Sequence, residues 1–218
     1  MVDSAPADLV EFYAQERPLD YPQSRIHFLE FEDAFTCSKT LNENWSLSDL
    51  LPWVLDDAND SNPYCYIMHG PCSGAVLHLS HDGDSRIEFR CLADYVAAMK
   101  SVGESGNSIY DTSMDMALDF PLSGEIESLC KEDSEDAIFL LGIYLPVCRV
   151  ITAEAKAILL GHEDFFAREA FAKWLQQNPI IDDLAYAEKL AQDSYSQVAR
   201  SAKMALSSIN KLKYGGSR

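Results

Sequence analysis

The pattern of apolar and polar residues predicts an amino-terminal segment in which helix and strand are mixed. Apolar residues between Leu9 and Tyr13 are spaced as on one face of a short helix, which Pro18 ends. From Arg25 to Phe31 the residues alternate roughly as they do in a half-buried strand. The chain is therefore expected to begin with one helix followed by one strand.

The next fifty residues predict a short helix, a β meander and another helix. Ser46 and Asp49 have the spacing of a capping box, which predicts a short helix over residues 50–55, although Pro52 lies in its first turns. Three segments rich in strand formers then predict an antiparallel meander: residues 64–69, 74–81 and 86–89. The helix that follows ends near Gly103, and its apolar stripe is formed by Leu92, Tyr95, Val96 and Met99.

After Pro121 the strand signals disappear, and only helical patterns follow. The predicted helices cover residues 134–145, 152–160, 163–177, 182–192 and 194–212. We therefore predict an α+β fold class with two domains. Residues 1–121 form an antiparallel β meander with flanking helices, and residues 122–218 form an all-α helical-hairpin unit.

Within the helical unit, two segments that begin 31 positions apart are alike. AREAFAKWL begins at Ala167 and VARSAKMAL begins at Val198, and both place small or apolar residues where the second helix of a stacked pair packs. This spacing resembles that of a HEAT-type repeat, with Ala199 where the repeat pattern has arginine. A generic pair of helical hairpins has the same spacing, so both interpretations stay open.

Charge separates the two parts of the chain more sharply than hydropathy does. The 218 residues are 47% hydrophobic, enough for a buried core, and they carry a formal net charge of −18, which disfavours nucleic-acid binding. Residues 1–150 hold 27 acidic and 8 basic side chains, whereas residues 151–218 hold 8 and 9. Such an imbalance predicts a surface that attracts a basic partner, although acidity also serves solubility.

Other features of the sequence predict a cytoplasmic protein without a membrane segment. The longest uncharged apolar stretch, from Ala137 to Cys148, has 12 residues, and a membrane span needs about 20. The first residues have neither the basic nor the apolar region of a secretion signal. The six cysteines include no C-x-x-C pair, as is typical of reduced thiols.

The densest group of candidate metal ligands and catalytic residues lies between Cys65 and Asp84. The metal candidates have the residue types that bind zinc but not the spacing of a zinc site; they are Cys65, His69, Cys72, His78 and His81. Ser80, His81 and Asp82 are neighbours along a predicted strand and point to alternate faces, so they do not form a catalytic triad. The sequence therefore predicts no metal, no cofactor and no catalytic residue.

The segment from Pro63 to Val102 resembles the central part of the SUKH superfamily. The resemblance consists of a strand, a glycine-led strand that ends in His81-Asp82, a small turn, a short strand and a helix opened by CLADYV at Cys91. It implies a small α+β domain that binds other proteins, in bacteria often as an immunity protein that caps a secreted nuclease or another toxin. It implies no catalytic residues.

The favoured hypothesis is a non-enzymatic protein-binding module. In its most specific form, it is a bacterial immunity protein that neutralises a basic toxin through an acidic surface. The predicted partner-binding residues are Asp56, Asp57, Asp60, Asp82 and Asp84. Two alternatives stay open: an adaptor or regulatory scaffold for another client, and an unrecognised enzyme that uses the cluster from His69 to Asp84.

Overall fold

The structure, a computed structural model, divides into two compact units, residues 1–118 and residues 119–218. It describes residues 5–15, 20–21, 26–44, 47–56, 62–80, 85–105 and 118–215. All statements about the molecule below concern these residues.

The first unit combines helices with an antiparallel sheet, which confirms the predicted α+β fold class. Its helices are α1 (Ala7–Ala14), α2 (Phe31–Asn44) and α3 (Leu92–Ser105). A two-stranded ribbon pairs β1 (Asp20–Tyr21) with β2 (Ile26–His27). The main sheet contains β3 (Pro52–Val54), β4 (Tyr64–Ile67), β5 (Val76–His78) and β6 (Arg86–Phe89).

The main sheet is a simple meander in which each strand pairs with the next along the chain, in the order β3-β4-β5-β6. All three pairings are antiparallel, with Trp53 opposite Tyr66 and Tyr64 opposite His78. The turn between β4 and β5 contains Gly74 at a φ of 94°, a backbone conformation that glycine adopts at little cost. The Gly74 amide donates to the carbonyl of Ile67, which closes this turn.

Aromatic side chains fill the core between the sheet and the helices of the first unit. Tyr95 of α3 makes ring contacts with Phe28, Tyr64 and Phe89, with centroids 5.1 to 5.8 Å apart. The stripe predicted for α3 is confirmed, since Leu92, Tyr95 and Met99 are all buried. Burying side chains of this size contributes about 2 kcal/mol or more each, which makes this core the main source of stability in the unit.

Two predictions for residues 25–55 are wrong. The strand expected over Arg25–Phe31 is reduced to two paired residues and a bridge at Phe28, and α2 begins at Phe31. The short helix expected over residues 50–55 is a turn followed by strand β3. The physical reason is Pro52, which disfavours helical geometry in the residue before it; Leu51 has a φ of 42°.

Helix α2 covers the free edge of β3 with polar atoms, in addition to the ring contacts that Phe31 and Phe35 make with Trp53. The hydroxyl of Ser38 accepts a hydrogen bond from the Val54 amide at 2.8 Å, and the Asn42 side-chain amide donates to the Pro52 carbonyl at 3.0 Å. These bonds satisfy backbone groups that an edge strand otherwise exposes to other chains. The helix therefore protects the sheet from edge-to-edge association.

The described residues of the second unit contain helices and no strands, as predicted. The helices are α4 (Ser123–Leu129), α5 (Glu135–Tyr144), α6 (Ala153–Leu160), α7 (Phe165–Gln177), α8 (Leu184–Leu190) and α9 (Ser196–Gly215). Helix α4 was not predicted, because it has only seven residues and buries only Ile126 and Leu129. The connections Leu145–Val147 and Ile181–Asp183 form single 3₁₀ turns.

These six helices form three successive hairpins: α4–α5, α6–α7 and α8–α9. The first helices of the hairpins begin at Ser123, Ala153 and Leu184, so the chain repeats after 30 and then 31 residues. Helix α7 packs against both α5 and α9, and α6 packs against both α4 and α8. The hairpins are thus stacked side by side, whereas the resemblance to a HEAT-type repeat stays a prediction.

Two ion pairs join the second hairpin to the third. Lys156 Nζ lies 2.6 Å from the carboxylate of Asp183, and both side chains are largely buried. Arg168 binds the Asp193 carboxylate through two nitrogens, at 2.7 and 3.3 Å. Each pair links corresponding ends of neighbouring helices, so the stack is held by polar contacts as well as by its apolar core.

Candidate partner-binding surface

Of the five predicted partner-binding residues, only Asp56 lies in the described part of the chain. Asp57, Asp60, Asp82 and Asp84 lie outside it. Asp56 is only 1% exposed, so the expectation that it belongs to an accessible acidic surface is wrong. A surface contact requires solvent access, which the packing around this carboxylate removes.

Asp56 instead has a structural role, because its carboxylate joins the sheet to α3. One oxygen accepts from the Tyr64 amide at 3.1 Å, and the other accepts from the Tyr95 hydroxyl at 2.5 Å. Burial raises the pKa of the Tyr95 hydroxyl, and the charge of Asp56 and its hydrogen bond raise it further. Burial and then the charge of Asp56 also raise the pKa of the Cys65 thiol, so this thiol is not activated as a nucleophile.

A second polar group is centred on Glu88 of β6. Its carboxylate accepts from the Tyr64 hydroxyl at 2.9 Å and from Arg86 at 2.6 and 2.7 Å. His78 Nδ1 lies 3.7 Å from the same carboxylate, and its ring packs on Tyr64 with centroids 4.8 Å apart. Burial lowers the pKa of His78, and Glu88 opposes that effect. The group connects β4, β5 and β6.

The candidate metal ligands do not come together in the described residues. Cys65 and Cys72 are fully buried and His69 is exposed, while His81 lies outside the described ranges. No group of three or more His, Cys, Asp or Glu side chains that could hold a metal ion occurs in the part of the chain that the structure describes.

Sequence reasoning missed a set of exposed carboxylates on two helices that contact each other. They belong to α1 and to the start of α2, and we call them the acidic corner: Asp8, Glu11, Glu30, Glu32 and Asp33. All five residues are exposed. The described ranges 5–15 and 26–38 contain no Lys or Arg, so no cation on these segments offsets the charge.

Aromatic packing holds the two helices of the acidic corner together. Tyr13 near the end of α1 contacts Phe31 at the start of α2, edge to face, with centroids 5.3 Å apart. The Tyr13 hydroxyl accepts a hydrogen bond from the Trp53 indole at 3.0 Å, which ties the corner to the sheet. Asp8 accepts from the Tyr66 hydroxyl at 2.8 Å, so α1 is tied at its other end as well.

The acidic residues of this corner are visible in the sequence, but the strand predicted before them hid the helix to which Glu32 and Asp33 belong. The strand predicted from Arg25 to Phe31 included Glu30 and ended before Glu32, and no element was predicted for Glu32 and Asp33. In the structure a helix begins at Phe31 and places Glu32 and Asp33 in its first turn, where negative charge interacts favourably with the helix dipole.

Comparisons with known proteins add no family to this description, since no protein family, curated protein or solved structure matches the chain. Among the described helices, none has both the length and the apolar character required to cross a membrane.

Proposed function

We propose that the protein is a non-enzymatic module that binds a basic protein partner through the acidic corner of its first unit. The observation that supports this proposal is a set of five exposed carboxylates on α1 and around the start of α2, where the described residues 5–15 and 26–38 hold no Lys or Arg; the first cation on α2 is Lys39. A field of one sign attracts a surface of the opposite sign, increases the encounter rate and fixes the orientation of the partner.

The acidic corner also offers an apolar contact. Val10 lies on α1 between Asp8 and Glu11 and is 53% exposed. Interfaces typically combine an apolar centre with a charged rim, because the apolar part contributes most affinity and the rim excludes the wrong partners. The exposed Val10, with Glu11 next to it on α1, fits a partner whose basic residues flank an apolar patch.

In its most specific form, the proposal is a bacterial immunity protein that acts in the cytoplasm on a basic toxin. Toxins that cleave nucleic acids need cationic groups to hold phosphates, and an acidic partner occupies those groups. The resemblance of residues 63–102 to the SUKH superfamily supports the same role. Neutralisation by occupancy requires no chemical step by this chain.

The test measures binding to a basic protein encoded next to this gene. The triple variant Glu30→Lys, Glu32→Lys, Asp33→Lys reverses three charges of the acidic corner, and we expect it to bind about 100-fold more weakly, at roughly 1 kcal/mol per lost ion pair. It should also fail to restore growth to cells that produce the toxin. Isothermal titration and a co-expression assay supply the two measurements.

The matched control is Glu163→Lys, Asp182→Lys, Glu188→Lys, which changes the net charge equally at exposed positions of the second unit. Its affinity should stay within a few-fold of the unaltered protein. A further variant, Asp82→Lys with Asp84→Lys, tests two of the partner-binding residues predicted from the sequence. If the acidic-corner variant keeps full affinity, the proposed surface is wrong; tight binding without neutralisation would indicate an adaptor instead.

A further inference from the structure

The second helices of the three hairpins are α5, α7 and α9, and they form a row. Helix α7 is in the middle of this row, between α5 and α9. Helix α7 packs against α5 and against α9. All three run in the same direction, because each is the returning helix of its hairpin. Within the described residues, α5 and α9 are therefore the end helices of the row.

The outer face of α9 is basic. Val198, Ala202, Ala205 and Ile209 are fully buried and form its inner stripe. The opposite side is exposed and consists of Arg200, Lys203, Met204, Ser207 and Lys211. Met204 is 45% exposed, and no Asp or Glu occurs in the sequence after Asp193. This face therefore combines cations with an exposed apolar side chain.

The outer face of α5 is acidic and has open space at its centre. Helix α5 buries Leu140, Leu141 and Tyr144 on its inner side. Glu135 is exposed on the other side, while Ile138 and Gly142 are half-buried there. No described atom lies within 4 Å of the place where a Cβ on Gly142 would stand. Further exposed carboxylates surround the start of this helix: Glu132, Asp133 and Asp136.

We infer that a second copy of this chain docks the outer face of its α5 on the outer face of α9, which continues the row from one molecule to the next. If the row keeps its direction and spacing, Glu135 of one copy lies level with Ser196 of the other, and Arg200 follows one turn further along α9 with its side chain directed back toward Glu135. The open space at Gly142 then accepts the Met204 side chain. Opposite charges meet around an apolar centre, as in other specific interfaces.

The contact joins two different surfaces, so it is heterologous and leaves a free α5 and a free α9 on every dimer. The net charge of −18 repels the copies at long range, but salt at 0.15 M screens such repulsion beyond about 8 Å and leaves the close charge pairs effective. The inference concerns the second unit and does not depend on the acidic corner.

Sedimentation equilibrium of the full chain at 0.15 M salt tests the inference. We expect the weight-average mass to rise above the 24.3 kDa of one chain as the concentration increases to about 500 μM. The variant Arg200→Glu with Lys203→Glu, and the variant Glu135→Lys with Asp136→Lys, should each associate at least tenfold more weakly. Gly142→Trp should also weaken association, because it fills the open space without changing the charge.

An equimolar mixture of the two charge-reversed variants should recover association, since each carries a surface complementary to the other. The matched control is Lys39→Glu with Lys100→Glu, two exposed positions of the first unit that change the net charge as much as the α9 variant. Circular dichroism checks that every variant keeps its helices. A chain that stays monomeric up to 500 μM, charge reversals without effect, or a mixture that fails to associate would each overturn the inference.

Discussion

The carboxylate of Asp56 illustrates what single residues contribute to the first unit. It is buried, yet it accepts hydrogen bonds from the Tyr64 amide and the Tyr95 hydroxyl, so it holds β4 and α3 on either side of it. A buried charge is tolerated only when such partners replace water. Asp56, which was expected on an accessible acidic surface, is therefore part of the core.

Tyr95→Phe should lower the free energy of unfolding by about 2 kcal/mol. The substitution keeps the shape of the ring but leaves the Asp56 carboxylate without one donor, and hydrogen bonds to charged groups contribute about 1.5–3 kcal/mol. Urea denaturation measures the change. Tyr214→Phe, at a position that is 69% exposed, is the control and should stay within about 0.5 kcal/mol. A Tyr95 variant as stable as the unaltered protein would contradict this role.

Arg168 makes the stability of the second unit dependent on pH. Its hydrogen bonds to Asp193 lower the pKa of that carboxyl below its ordinary range. The unfolded chain therefore binds the proton more readily, so the ion pair stabilises the fold at pH values above the ordinary aspartate pKa of about 3.9. This contribution is lost as the pH falls through the lower pKa of the folded state.

Arg168→Gln should consequently cost about 2 kcal/mol at pH 7 and progressively less below pH 4. Denaturation at several pH values between 2.5 and 7 gives the difference between the variant and the unaltered protein. Lys189→Gln, on the exposed side of α8, serves as the control and should show no such trend. A difference that stays constant down to pH 2.5 would rule out the ion pair as its source.

At the scale of elements, close packing of small residues joins α7 to α9. Ala205 is fully buried and lies on the stripe of α9 that faces α7. Ala205→Leu should destabilise the protein by about 1–3 kcal/mol, because the added methyl groups force the helices apart. The control is Ala185→Leu on the exposed surface of α8. Thermal unfolding measures the stability of the two variants. If they are equally stable, the interface between α7 and α9 accommodates the added methyl groups, and close packing is not its source of stability.

Apolar periodicity predicted the helices that bury continuous apolar stripes. Helix α2, which it missed, is held in part by polar contacts. Helices α3, α7 and α9 bury continuous stripes, so their existence could be read from spacing alone. Helix α2 packs Phe31 and Phe35 on Trp53 of β3. Further along the helix, however, Ser38 and Asn42 join it to β3 by hydrogen bonds. Such polar contacts depend on the partner element, and no local pattern reports them.

The sequence predicted the charge of the candidate surface but not which residues form it. The excess of acidic residues in the first part of the chain indicated a basic partner, and the acidic corner lies in that part. Its residues were missed because the predicted strand ended at Phe31, the residue at which α2 begins, so Glu32 and Asp33 were not placed in a helix. Asp56 was misplaced because burial depends on tertiary contacts with Tyr64 and Tyr95, which charge along the sequence does not reveal.

At the scale of the whole molecule, the two units differ in charge. Residues 1–118 hold 20 acidic and 6 basic side chains, and residues 119–218 hold 15 and 11. Within the second unit, acidic residues occur at the turns that open α5 and α7, whereas α9 carries only cations. Under the two proposals made above, the first unit binds a basic protein and the second unit binds another copy of this chain.

The regular spacing of the hairpins has an evolutionary consequence. Because each hairpin of the described helices packs chiefly against the next one, stability in such an array is close to a sum of local contributions. Duplication or loss of a segment of 30 or 31 residues would change the length of the array and leave the remaining junctions as they are. Homologous genes that differ by whole multiples of this length would be the expected trace of such events.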